Sequence, residues 1–231
     1  LQEKALADSL VCGVDFSHAD FSAFDAAAFE YVFEQCDFSS ADFSHAQLRA
    51  CTFKACQFND ANFEGASFDD SKWIQCKADG VNFVGADLST CRFEGGSFAN
   101  STWNECLLTG SRFSHCRLVG ADFSGCRALA IEFEECAMSL CNLRFLSFRK
   151  RSLKGLDLTE ADLTGVDFRD CVFEKCRLAY ARIGEAQFDG ADLRGADLGP
   201  LDLSACALLR GATISKGQAA LLLAQLEINV V

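Results

Sequence analysis

Fourteen cysteines, three histidines and thirty-three carboxylates are the side chains here that could do chemistry. Cysteines in such number suit a disulfide framework or a metal site. Their spacing argues against both. Cys36, Cys56, Cys76, Cys116, Cys136 and Cys176 differ by multiples of 20. Side chains repeating at a fixed interval run parallel rather than toward each other, which a disulfide cannot use. No C-x-x-C pair occurs, and His18, His45 and His115 are too scattered to close a metal cluster. The thiols therefore read as small buried hydrophobes in a reducing cytosol. Nucleophilic catalysis finds no support: serines are plentiful, but no histidine falls close in register. The carboxylates spread along the chain, with no cleft to raise a pKa. No enzyme and no cofactor are expected.

The elements that must position these residues follow from a second pattern. Every fifth residue from Phe33 to Leu208 is apolar, in 36 consecutive units of one phase. The centres are 17 Phe, 13 Leu, 2 Trp, 2 Ala, Met138 and Ile183. Five is the period of neither a helix nor a strand, so this is an internal repeat. Call the centre i. Position i−2 is small and holds 13 of the 14 cysteines; i−1 is often Asp or Asn; i+2 holds 11 of the 17 glycines, as a corner of positive φ requires. Residues i and i−2 point inward and the others face water.

The cysteine interval of 20 recurs in Asp42, Asn62, Asn82, Asp122, Asn142, Asp162 and Asp202. Four pentapeptides thus close one coil, and equivalent sides stack. Nine coils at about 4.8 Å each would extend for roughly 43 Å. With these residues the chain resembles the pentapeptide-repeat proteins over about 16–210. The resemblance implies an all-β fold: a right-handed quadrilateral parallel β-helix, a solenoid of about nine or more coils, ending in a short C-terminal α-helix. The segments read as an N-terminal cap or tail at 1–15, the solenoid at 16–210, and a capping or dimerising tail at 211–231. No apolar run of 18 residues and no signal peptide are found. The expected setting is the bacterial cytoplasm.

Net charge is −12. Label the four sides by their first centres, Phe33, Phe38, Phe43 and Leu48. The Phe43 side carries Asp42, Glu64, Glu105, Asp122, Asp162, Glu185 and Asp202 against Arg144 and Arg182. The Phe38 side is also net acidic. Such a surface repels nucleic acid and suits a protein that normally grips it. Asp at i−1 is equally what the repeat itself prefers.

One stretch strains the pattern. Position i−2 reads Leu146, Arg151, Leu156, and an arginine is not buried unpaired in a phenylalanine-lined core. A bulge is expected near 149–152, exposing Arg144, Phe145, Arg149, Lys150, Arg151 and Lys154 for a partner, as loops on rigid scaffolds often do. At the far end Ser215 is a candidate N-cap, and 216–226 has an amphipathic helical stripe. Ile228 to Val231 could form a strand. A solenoid end needs a cover, but this tail carries more apolar surface than a cover needs. Leu222, Leu223, Leu226, Ile228 and Val230 are expected to form a homodimer seam.

Three segments resemble the Qnr-type quinolone-resistance branch, which protects type II topoisomerases. They are Ala130 to Cys136 with Ile131 at i−2, the disturbed stretch 143–155, and the tail Gln218 to Val230. The resemblance implies a dimer whose acidic side mimics DNA toward DNA gyrase or topoisomerase IV, with no direct nucleic-acid or membrane contact. This chain departs from the branch in lacking a phase slip between 33 and 208 and in having more coils before Ile131. Self-protection proteins against other topoisomerase poisons have a similar tail. A general interaction module with a different protein partner stands as the alternative.

Overall fold

The computed structural model describes residues 10–25, 30–200, 203–224 and 228. The chain divides into two compact units, Leu1–Glu132 and Phe133–Val231.

In the first unit the strands are β1 (Leu10–Cys12), β2 (Val32–Glu34), β3 (Thr52–Lys54), β4 (Lys72–Ile74), β5 (Arg92–Glu94) and β6 (Arg112–Ser114). They pair in chain order, all parallel. From β2 onward the register is the 20-residue interval: Phe33 faces Phe53, Phe53 faces Trp73, and Phe93 faces Phe113. The other three sides stack through single bridges of the same interval, such as Asp37 to Gln57, Asp42 to Asn62 and Gln47 to Ser67. This is the four-sided parallel β-helix that the pentapeptide period implies.

The corners explain the period. Ala41 N–H donates to Phe38 C=O at 3.0 Å, closing a turn in which Ser40 has φ of 55°. Positive φ at that place is the mark of a type II turn. Non-glycine residues take the same left-handed conformation at most corners, including Gln35, Asp60 and Asn100.

Centres and i−2 residues fill the interior. Equal register stacks like rings on like: Phe33 on Phe53 at 5.3 Å, Phe38 on Phe58 at 4.9 Å, and Phe93 on Phe113 at 4.4 Å. Rings on neighbouring sides meet edge to face, as Phe33 and Phe38 do at 81°. Both arrangements suit the aromatic quadrupole.

The N-terminal reading needs correction. Residues 10–15 are wall rather than cap or tail. β1 pairs with β2, and Val11, Phe16 and Phe21 are buried centres. The interval here is 22: Asp15 pairs with Asp37, Asp20 with Asp42, and Asp25 with Gln47. The two extra residues fall between Asp25 and Tyr31.

In the second unit β7 (Glu132–Glu134) leads into β8 (Ser152–Lys154), β9 (Val172–Arg177) and β10 (Asp192–Asp197), parallel and in order. The expected bulge at 149–152 is absent. Leu153 faces Phe173, Ser147 bridges to Asp167, and Lys150 N–H donates to Arg169 C=O at 2.9 Å. Leu146, Phe148, Leu153 and Leu156 are all buried, and Arg151 is half-buried. Backbone stacking holds the coil, and Arg151 is accommodated in the wall without a bulge.

β9 and β10 are six residues long, and their register shifts at Gly195. A Cβ there would collide with the carbonyl of Phe173, so this close approach requires glycine.

The coils also stop earlier than the five-residue phase. Gly199 turns at φ of 60°, and Pro200 has no N–H for the ladder. Leu203–Leu208 then forms helix α1, so Leu203 and Leu208 are helical rather than coil centres. The chain returns at Thr213, whose carbonyl accepts Leu193 N–H at 2.9 Å. Helix α2 spans Lys216–Ala224.

Candidate functional site

All fourteen cysteines are free thiols: Cys12 is exposed, Cys126 and Cys206 are half-buried, and eleven are buried. The hydrogen bond with Cys56 holds the Cys36 thiol below the usual range, at about 7. An i−2 thiol typically donates to the carbonyl of the centre one coil earlier, as Cys56 does to Phe33 and Cys91 to Phe68, at 3.4 and 3.1 Å. Burial pushes the Cys51 thiol up to about 11 and those of Cys76 and Cys91 to about 12. Such thiols are inert structural fillers. Among the described residues no three His, Cys, Asp or Glu converge in a way that could hold a metal ion.

The acidic residues divide into two kinds. Those at i−1 are bonded into the turns. Asp42 Oδ1 accepts the Ser44 N–H at 2.9 Å and the Asn62 side-chain amide at 3.0 Å. Asn62 Oδ1 accepts the Asn82 amide at 2.9 Å, continuing a ladder up the side. Asp122 Oδ1 accepts Ser124 N–H at 2.9 Å. These are Asx turns, and they explain why the repeat favours Asp or Asn at i−1. The second kind, Glu64, Glu105 and Glu185, sits at i+1 or i+2 and is exposed.

Within the first unit Asp42, Glu64, Glu105 and Asp122 share one side, and its i−1, i+1 and i+2 positions carry no lysine or arginine, only His45 at one corner. In the second unit the side of centres Leu143, Leu163 and Ile183 is compensated. Asp162 is 4.0 Å from Arg182 Nη1 and also feels Arg144. Burial works against its charge, but the Thr164 hydroxyl and amide and the two arginines hold the carboxyl below the usual range. Asp202 lies outside the described residues.

The residues expected on a bulge lie instead on three sides of the coil. Arg144 and Phe145 are exposed together, with the guanidinium 5.4 Å from the ring centroid. Arg149 lies 3.7 Å from Asp170, Lys150 is an exposed corner, and Lys154 binds Glu134 at 3.0 Å.

At the C-terminus Leu222 is half-buried and Leu223 and Ile228 are exposed; Leu226 and Val230 lie outside the described residues. Ser215 caps α2 as expected, accepting Gln218 N–H at 3.2 Å, while Gln218 Oε1 accepts Ser215 N–H at 2.6 Å. This is a capping box. Sequence reasoning missed the second task of Gln218. Its Nε2 donates to Leu193 O and Ala196 O at 2.8 and 2.7 Å, pinning the helix start to the last coil. It also missed Leu140 and Tyr180, exposed apolar corners whose signal was a large residue at i+2.

Two family descriptions match this sequence. "Pentapeptide repeat region" matches residues 28–103 and 96–171, and "Pentapeptide repeats (8 copies)" matches 157–195 and 171–206. The chain belongs to the pentapeptide-repeat family. No curated protein matches this pentapeptide-repeat chain at a significant level. Among solved structures, a trypsin-treated variant of QnrB1, described as a plasmid-mediated fluoroquinolone resistance protein, aligns with a TM-score of 0.62 at 24% identity. The alignment covers 96% of this chain and 97% of that one. HetL, a pentapeptide-repeat protein involved in heterocyst differentiation regulation from the cyanobacterium Nostoc sp. strain PCC 7120, aligns with a TM-score of 0.54 at 18% identity. That alignment covers 81% of this chain and 86% of HetL. At these identities the likeness is one of fold. No helix among the described residues is long and apolar enough to cross a membrane.

Proposed function

We propose that this pentapeptide-repeat protein is a non-catalytic scaffold whose acidic side in the first unit binds a type II topoisomerase, DNA gyrase or topoisomerase IV, and protects it from quinolones or related poisons. The observation that carries the reading is the uncompensated side of Asp42, Glu64, Glu105 and Asp122. An acidic face complements a basic DNA-gripping surface and competes with DNA for it. The fold likeness to a protein described as a plasmid-mediated fluoroquinolone resistance protein supports a protective role of this kind. In this reading the protein acts in the bacterial cytoplasm as a homodimer joined through the C-terminal segment, where Leu221, Leu223 and Ile228 are exposed.

The test is to titrate the protein into DNA gyrase, DNA and ciprofloxacin, following cleaved DNA and supercoiling together. Less cleaved DNA with restored supercoiling supports protection. Unchanged cleavage and supercoiling reject it.

The Asx turns favour a second reading. Asp42 and Asp122 carry turn hydrogen bonds whatever the partner, so part of the acidity belongs to the fold. A scaffold for a different protein partner, neither topoisomerase nor DNA, has the same turns. Affinity purification that returns one such partner, together with no effect on gyrase, selects this reading.

A further inference from the structure

The corners of the coil set apart one face of the second unit. Among the described residues of positive φ, nearly all are glycine, alanine or polar; the exceptions are Leu140 (φ 61°), Phe145 (φ 62°) and Tyr180 (φ 60°). A bulky side chain in the left-handed region is strained. Burial does not compensate it here, because the three are 57%, 65% and 66% exposed. They stand on the two corners that bound one side, the side of centres Leu143, Leu163 and Ile183. Strain and exposure together at three neighbouring positions point to selection for something other than stability.

The surface between them has shape. Leu140 and Tyr180 are two coils apart in one corner column, and Glu160 lies between them. With Arg182 they line a depression of about 390 Å³. The Phe145 ring on the opposite corner lies over Gly165, where a Cβ would collide with it.

The charges of this face are not balanced. Both arginines are engaged, Arg182 with Asp162 at 4.0 Å and Arg144 with the Phe145 ring and the field of Asp162. Glu160 and Glu185 make no ion pair or side-chain hydrogen bond among the described residues and are exposed. The charge left over is negative, so the complementary occupant is basic. Nucleic acid and anionic lipid are excluded by sign. A second copy of this chain, at net −12, is also poorly matched.

We propose that this face docks a basic amphipathic segment of a partner protein. An apolar side chain of the segment enters between Leu140 and Tyr180, a lysine or arginine meets Glu160, and Phe145 covers the flank. Exposed Tyr, Phe and Arg are the residue types that dominate binding energy at protein interfaces. The site stands whether or not the partner is a topoisomerase.

The probe is a short fluorescein-labelled amphipathic helix of leucine and lysine, with a scrambled peptide of equal composition as control. Fluorescence anisotropy at physiological salt reads the binding. The expected result is preference for the amphipathic peptide. Leu140→Gly and Tyr180→Gly each weaken binding by about tenfold, as loss of an anchor does. Their melting temperatures hold or rise, because glycine relieves the corner. Glu160→Gln weakens binding, while Glu94→Gln, exposed on another side of the first unit, leaves it unchanged. Equal binding of the scrambled peptide, or no binding of either, overturns the proposal. So does wild-type affinity in the glycine variants, or an equal loss from Glu94→Gln.

Discussion

The indole N–H of Trp73 donates to the hydroxyl of Ser71 at 2.9 Å, inside the core and two residues away in sequence. Trp103 repeats the relationship with Ser101 at 2.6 Å. Both tryptophans occupy centres, and both have serine at the i−2 position, where Cys or Ala is commonest. A buried indole needs an acceptor, and the repeat supplies one without altering the backbone. Ser71→Ala should therefore destabilise by about 1–3 kcal/mol, the cost of an unsatisfied buried donor. The denaturation midpoint reads it. A shift no larger than that of an exposed control such as Ser147→Ala would show that the bond is dispensable.

Asp42 separates charge from turn geometry. Asp42→Asn keeps an acceptor for Ser44 N–H, as Asn62 and Asn82 already do in their own turns, and should leave stability nearly unchanged. Asp42→Ala loses two bonds, to Ser44 and Asn62, and should cost about 1–2 kcal/mol. Thermal melts of the pair give the comparison. Equal melts would remove the structural role assigned to the carboxylate.

Gln218 joins two functions that one substitution can divide. Gln218→Glu retains an acceptor for Ser215 N–H but cannot donate to Leu193 O and Ala196 O. Trypsin should then cut faster after Lys216, and Gln218→Ala should be at least as fast. Cleavage at the wild-type rate in both would mean that α2 is held by other contacts.

Thiol accessibility tests the interior directly. Cys12 is exposed, Cys126 and Cys206 are half-buried, and eleven thiols are buried. Reaction with an aromatic disulfide reagent at mildly alkaline pH should show Cys12 as the fastest thiol, a phase that Cys12→Ser removes. All fourteen should react once the chain is unfolded. More than the two half-buried thiols reacting before unfolding in the Cys12→Ser protein would contradict the packing described.

Acid should act through the bonded carboxylates. The Arg194 side chain and amide hold Asp192 down to about 2. Against the effect of burial, Thr164 and two arginines keep Asp162 below the usual carboxylate range. A carboxyl lowered in the folded state adds stability above its unfolded pKa and loses that contribution as pH falls toward the folded value. Melting temperature should thus be flat above about pH 5 and fall between 3.8 and about 2. Asp162→Asn should make that fall shallower. The Asp192 contribution is small because the pair is exposed. A slope unaffected by Asp162→Asn would assign the acid sensitivity elsewhere.

The sequence made the wall and the core legible because both follow one period. Phe33, Phe53, Trp73 and Phe93 stack where a 20-residue interval puts them. It misled where another force keeps the same residue types. Arg151 broke the small-residue rule, yet inter-coil hydrogen bonds outweighed one long side chain. Leu203 and Leu208 kept the phase, but apolar residues are equally at home in a helix once Pro200 has ended the ladder. Of the first coil only the stretch before Phe16, with Val11, reads in the sequence as a cap or tail. Of the candidate surfaces, the acidic side could be read directly. The corner residues Leu140 and Tyr180 were missed, although a large residue at an outward i+2 corner was their signal.

The fixed interval between coils also means that changes of length in the wall are quantised. Removing twenty residues, such as 57–76, returns every later residue of the first unit to its own side. Lys77 then succeeds Cys56 in the place Gln57 held, and Asp122 keeps its column. Removing five instead turns the later coils of that unit by a quarter. It moves Asp122 off the acidic side and leaves the core apolar. Such a deletion would be silent in a melt and visible only to a partner.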